Sequence, residues 1–184
     1  MMTEYTRDDM LRLWRTRAGL EPSRTDCRIE TVEGIDADAY LEPAMRAWYL
    51  RLLDTADTAL LPVDDVHDEI ELAVCPGHEA VEGQLPPRAR RLLEVRMTGW
   101  LNAAVPCTPA SATRRHALAL NPYSAPGPAH PLCSMDGRRI HMRPFTEDGD
   151  VLVLARAVVD PGPDRYILDD SLLSTIDECL KYEK

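Results

Sequence analysis

"PLCSMDGRRIHMRPF", Pro131–Phe145, is the stretch whose reading decides the fold class. Asp136-Gly137 is a strong signal for a two-residue hairpin, because glycine readily takes the positive φ such a turn needs. Beyond it, Ile140 and Met142 alternate with Arg139, His141 and Arg143. That period of two is the mark of a strand with one face in a core.

The same pattern recurs outward from this hairpin. "EIELAV" (Glu69–Val74) alternates, and in "RLLEVRMTGW" (Arg91–Trp100) Leu93, Val95 and Met97 oppose Glu94, Arg96 and Thr98. "RRHALAL" (Arg114–Leu120) puts Leu118 and Leu120 on one side. "DVLVLARAVV" (Asp150–Val159) is apolar almost throughout and suits a central strand. "CRIETV" (Cys27–Val32) and "RYIL" (Arg165–Leu168) read as further short strands.

The flanks have helical spacing instead. Thr6 can cap "TRDDMLRLWRTRAGL", with Asp8 and Asp9 in the electropositive first turn and Gly19 at the end. Met10, Leu13 and Trp14 share a face there. In "EPAMRAWYLRLLDTAD", Pro43 suits a first helical position, and Leu41, Met45, Trp48 and Leu52 form an apolar stripe that needs a partner. At the other end Asp169 or Asp170 caps "SLLSTIDECLKYEK", whose Leu172, Leu173, Ile176 and Leu180 line one side. Helix, helix, strands, helix is a segregated order, which predicts α+β. The expected layout is two N-terminal helices, a mainly antiparallel sheet of about five to seven short strands, and a C-terminal helix. The helical segment 1–60 is expected to pack on a β domain at 61–184, the two forming one structural unit.

Composition narrows the function. The 184 residues carry 31 acidic and 21 basic side chains, a formal charge of −10, which repels phosphate backbones and disfavours nucleic acid as a partner. The basic runs Arg88–Arg91 and Arg114–Arg115 read as solvated turns. The start "MMTEYTRDDMLRLW" lacks the cationic and apolar regions of a signal peptide, and no apolar run is long enough for a bilayer. Five scattered cysteines (Cys27, Cys75, Cys107, Cys133, Cys179) fit reduced thiols in a cytoplasm.

Motifs for chemistry are sparse. Asp64, Asp65, His67, Asp68, Glu69 and Glu71 are too closely consecutive to converge on one ion and read as an acidic loop. "CPGH" offers Cys75 and His78, and Cys133 with His130 or His141 could complete a zinc set of two pairs. GxSxG, GxxxxGK[ST] and GxGxxG are missing, and Ser111, Ser124 and Cys107 have no local catalytic support. No cofactor is expected.

In "NPYSAPGPAHP", Pro122, Pro126, Pro128 and Pro131 remove four backbone donors and stiffen the chain. Asn121 favours a turn and Tyr123 offers an aromatic anchor. Such an arm can pack on its own domain or lie across a neighbour. Asn121, Pro122, Tyr123, Pro126 and Pro128, with Met45 and Trp48 on the second helix, are the candidate protein-interface residues.

Asn121-Pro122-Tyr123, the Asp136-Gly137 hairpin, and Tyr166 to Leu180 as closing strand and helix together resemble small virion proteins of tailed phages and prophages of gut bacteria. The similarity is to the head–tail connector or head-completion type, and covers mainly the last third of the chain. It implies a non-enzymatic ring subunit docking between portal and tail proteins, in the cytoplasm or in the virion, with no catalytic residues to carry over. The shorter, more polar closing helix "ECLKYEK" departs from that pattern. The expected function is thus structural, through protein–protein contacts, with phage structural proteins or copies of itself as partners and neither nucleic acid nor membrane. The alternative is a small enzyme or zinc-dependent protein using Cys75, His78, Cys133 and His141.

Overall fold

A computed structural model of the chain describes residues 1–20, 37–75, 80–107, 125–145 and 149–182. The expected strands at Cys27–Val32 and Arg114–Leu120 lie outside them. Among the described residues there are three α-helices and ten short strands, in sheets of two, three and five strands. The class is mixed α+β. The chain divides into two compact units, Met1–Pro62 with Asp160–Lys184, and Val63–Val159. The closing strand and helix, expected with the β domain, therefore belong with the N-terminal helices.

In the first unit, β1 (Met2–Thr6) pairs antiparallel with β10 (Arg165–Asp169). That pairing joins 160–184 to the N-terminal segment. Helix α1 (Arg7–Ala18) begins as read: Thr6 and Asp9 form a reciprocal capping box, and Gly19, at φ 72°, closes the helix in the left-handed region. Met10, Leu11 and Trp14 are its buried residues, with Leu11 in the place expected of Leu13.

Helix α2 spans Ala37–Thr55, so Pro43 lies inside it rather than at its first position. Two ion pairs from α1 hold the extra first turn: Arg15 forks onto Asp38, and Arg7 onto Glu42 at 2.6 Å through both nitrogens. Its stripe finds its partner inside the unit. Trp48 meets Trp14 edge-on at 5.8 Å and donates its indole N–H to Thr175 Oγ1. Tyr49 packs edge-on against Tyr166, and its hydroxyl both donates to the carbonyl and accepts from the N–H of Ile167. Helix α3 (Thr175–Tyr182) follows a 3-10 turn capped by Asp169, and Ile176 is fully buried. A lone two-stranded ribbon is marginal in water; here the buried Tyr166 and Leu168 anchor it.

The second unit holds the other eight strands: β2 (Val63–Asp65), β3 (Leu72–Val74), β4 (Val81–Gln84), β5 (Ala89–Met97), β6 (Pro106–Cys107), β7 (Leu132–Asp136), β8 (Arg139–Arg143) and β9 (Leu152–Val159). One sheet runs β2-β9-β5, with the apolar β9 in the centre as expected; the other runs β3-β4-β8-β7-β6. All pairings are antiparallel except β6–β7. Val66, Val81, Leu92, Val95, Met97, Trp100, Cys133, Ile140, Met142 and Ala155 are among the residues of its single core.

Two local departures have clear causes. A bulge between Leu92 and Glu94 shifts the β5–β9 register, so Leu92 rather than Leu93 is buried, ahead of Val95 and Met97. The hairpin turn sits at Gly137-Arg138, one position later than the Asp136-Gly137 signal implies, with Asp136 opposite Arg139 and Gly137 at φ 59°. Arg138 then donates to the carbonyls of Leu85 and Pro86. The expected strand 69–74 shortens to β3, because a 3-10 turn takes His67–Glu69.

Candidate functional site

Side chains in a strand alternate between faces, so the register of the five-stranded sheet fixes which groups can meet. Glu82 on β4 lies directly opposite His141 on β8 and directly opposite Ala73 on β3. Cys75 continues β3 two residues past Ala73, its N–H donating to the Ala80 carbonyl at 3.0 Å. Cys75 and His141 thus flank Glu82 from either side, one diagonally and one squarely. A thiol, a carboxylate and an imidazole converge there, their ligand atoms all within 4.8 Å of one another. Each residue is partly exposed.

The hydrogen bonding tells what this group is suited to. His141 Nδ1 lies 3.1 Å from Glu82 Oε1, and the other Glu82 oxygen is 4.0 Å from Arg139. The Cys75 thiol is held above its usual range, first by burial, then by the hydrogen bond to Glu82 and its charge, against a smaller opposite pull from Arg143. The carboxylate, not the imidazole, is therefore the thiol's partner. A nucleophilic cysteine needs a base or positive charge that favours its thiolate; Glu82 does the reverse. The chemistry these donors share is cation binding.

Other expected ligands are placed elsewhere. Cys133 faces Met142 across the β7–β8 pair, on the side of the sheet opposite His141. It is fully buried, and burial pushes its thiol up to about 12. The Cys75/His78/Cys133/His141 set is corrected accordingly, since Cys133 and His141 point to different faces; His78 lies outside the described residues. His130 is exposed at the turn that closes the proline arm. The acidic run is taken up by other partners: Asp64 and Glu69 both pair with Arg88, and Asp65 accepts from the N–H groups of Ala155 and His67. The His67 ring lies 3.0 Å from Asp65 and 3.1 Å from Asp68. Glu82 was not among the sequence candidates. Its alternation with Val81 and Gly83 marks a strand, but its neighbour on β8 is set only by pairing.

The candidate interface residues divide. Asn121, Pro122 and Tyr123 lie outside the described residues. Met45 and Trp48 are interior, 0% and 2% exposed, because the α2 stripe is covered within its own unit; they offer no surface to a partner. Pro126 is partly exposed and Pro128 exposed. His130 donates to the Gly127 carbonyl at 2.9 Å, closing a turn with Pro128 at the position where a fixed φ is favoured. This end of the arm is tied to its own unit: Leu101 N–H donates to the Pro128 carbonyl at 2.8 Å, and Asn102 Nδ2 to Ala129 at 2.7 Å. Leu101, Val105 and Val151 are 76%, 69% and 58% exposed. Leu101 follows the end of β5 where Thr98 N–H meets the Val151 carbonyl, and Val105 follows Ala104, which bridges Val95.

The fold and these features define an α+β protein of two units with a mixed thiol–carboxylate–imidazole group on one sheet face. No family model matches the chain, and no curated protein matches it. No helix among the described residues is long and apolar enough to cross a membrane.

Proposed function

We propose that this chain is a structural subunit working through protein–protein contacts, and that the end of its sheet unit around Leu101 is the contact surface. The carrying observation is the exposed Leu101 beside a proline arm that two hydrogen bonds hold to its own unit, with the exposed Val105 and Val151 on neighbouring segments. Ordering entropy is among the main costs of association. A turn already fixed by Pro128 and tied at Pro128 and Ala129 has little left to lose. The finer reading, from the resemblance, is a head–tail connector subunit of a tailed phage or prophage, with copies of itself or phage structural proteins as partners.

Light scattering after size exclusion, with and without the products of neighbouring genes, tests this. The expected result is an assembly that Leu101→Asp with Val105→Asp reduces to single chains without altering the circular dichroism spectrum. A chain that stays monomeric and binds none of those products overturns the reading, as does an assembly indifferent to the two substitutions.

A further inference from the structure

The geometry points to a binding site for one divalent cation of borderline softness, zinc in the first place, held by Cys75, Glu82 and His141 on the outer face of the five-stranded sheet. Hard cations such as calcium and magnesium take oxygen donors, whereas sulfur and imidazole together select zinc-like ions. Tetrahedral zinc spaces its ligand atoms roughly 3.3 to 3.6 Å apart, given its bond lengths to sulfur, nitrogen and oxygen. Here the three atoms already fall within 4.8 Å. Closing the gap asks for small rotations of partly exposed side chains and no backbone movement. The donors stand on, or just past, three consecutively paired strands, β3, β4 and β8, so the scaffold that spaces them is stiff.

Glu82 makes the case stronger. It faces the Cys75 thiol on one side and the His141 ring on the other. One ion can replace both contacts. On binding, the Cys75 S–H bond breaks, a sulfur–metal bond forms and one proton leaves to solvent. The ion takes the His141 Nδ1 lone pair as the proton that Nδ1 directs at Glu82 passes to Nε2, and Glu82 stays a carboxylate. Arg139 near Glu82 and Arg143 near Cys75 oppose the ion and limit its affinity. Three protein donors leave a fourth position to solvent, as in exchangeable rather than closed sites. Because sulfur binds the ion only as thiolate, protons compete with the metal and binding weakens as pH falls.

The test uses the full chain, stripped with a chelator and titrated with Zn²⁺ against a chromogenic competitor, then with Co²⁺. One equivalent should bind, and Co²⁺ should give a thiolate-to-metal charge-transfer band in the near ultraviolet. Cys75→Ser and His141→Ala should each weaken Zn²⁺ binding by about tenfold or more, since losing a ligand costs more than losing an outer contact. Cys179→Ser, in the other unit, should change nothing. Absence of stoichiometric binding, absence of the charge-transfer band in the wild-type chain, or equal affinity in Cys75→Ser and His141→Ala overturns the site. These readouts are independent of oligomeric state, so the site and the proposed contact surface fail separately.

Discussion

Cys133 and Met142 oppose each other across β7 and β8, and His141 sits one residue along on the other side. One step of register thus separates a protonated core thiol from a surface imidazole. Cys75 and His141 were recognisable as ligand types in the sequence. That Glu82 joins them was not, because β4 and β8 lie more than fifty residues apart and only their pairing brings the carboxylate across. Gly83, beside it, faces inward. A Cβ there would come within 2.6 Å of Ile70 Cγ2 and 3.3 Å of both Ile140 and Leu72. The Ile70 methyl is on a β-branched, stiff side chain, so Gly83→Ala should destabilise the sheet unit by about 1–3 kcal/mol. At Gly99 the added Cβ meets the carboxylate end of the Asp150 side chain rather than a β-branched core residue, so Gly99→Ala should cost less. Denaturant unfolding of the two variants checks the order; equal losses would contradict this account.

Among the elements, α1 was legible to the residue because its signals are local. Thr6, Asp9 and Gly19 act within one turn of the helix they bound. Thr6→Ala removes the hydroxyl that accepts from the Asp9 N–H at 3.2 Å and should cost about 0.5–2 kcal/mol. Amide exchange should show the loss concentrated in the first turn of α1, and unchanged protection there would speak against the capping box. The start of α2 was misread for the complementary reason: Pro43 is a local signal, but Arg7 and Arg15, far earlier in the chain, extend the helix past it. β1 was not read at all, since its five residues precede a helix cap and their partner lies at Arg165–Asp169. Period two in β5 was right after the bulge between Leu92 and Glu94, at Val95 and Met97, and wrong by one residue before it, where Leu92 takes the place read for Leu93.

For the whole molecule, the decisive fact is that the first unit is discontinuous, built from Met1–Pro62 and Asp160–Lys184. Composition and periodicity gave the α+β class; no local pattern could say that the last 25 residues (160–184) return to the first helices. A chain ending at Val159 loses Tyr166, Leu168 and Ile176, each at most 1% exposed. Full burial of such side chains stabilises by about 1.5–3 kcal/mol apiece, against a typical domain stability of about 5–15 kcal/mol. In this truncation α1 and α2 should lose amide protection while Val63–Val159 keeps its own. A spectrum in which both helices stay protected would show that β10 and α3 are dispensable.

Val63 and Val158 are direct strand partners, so the inserted sheet leaves the chain where it entered it. A ribosome making this protein releases Trp48 and Tyr49 well before their partners Thr175 and Tyr166 exist. The insert has every strand it needs once Val159 has emerged and can close ahead of the unit that surrounds it in sequence. The segments made before the insert are then the last to settle, because the partners of Trp48 and Tyr49 are made after it.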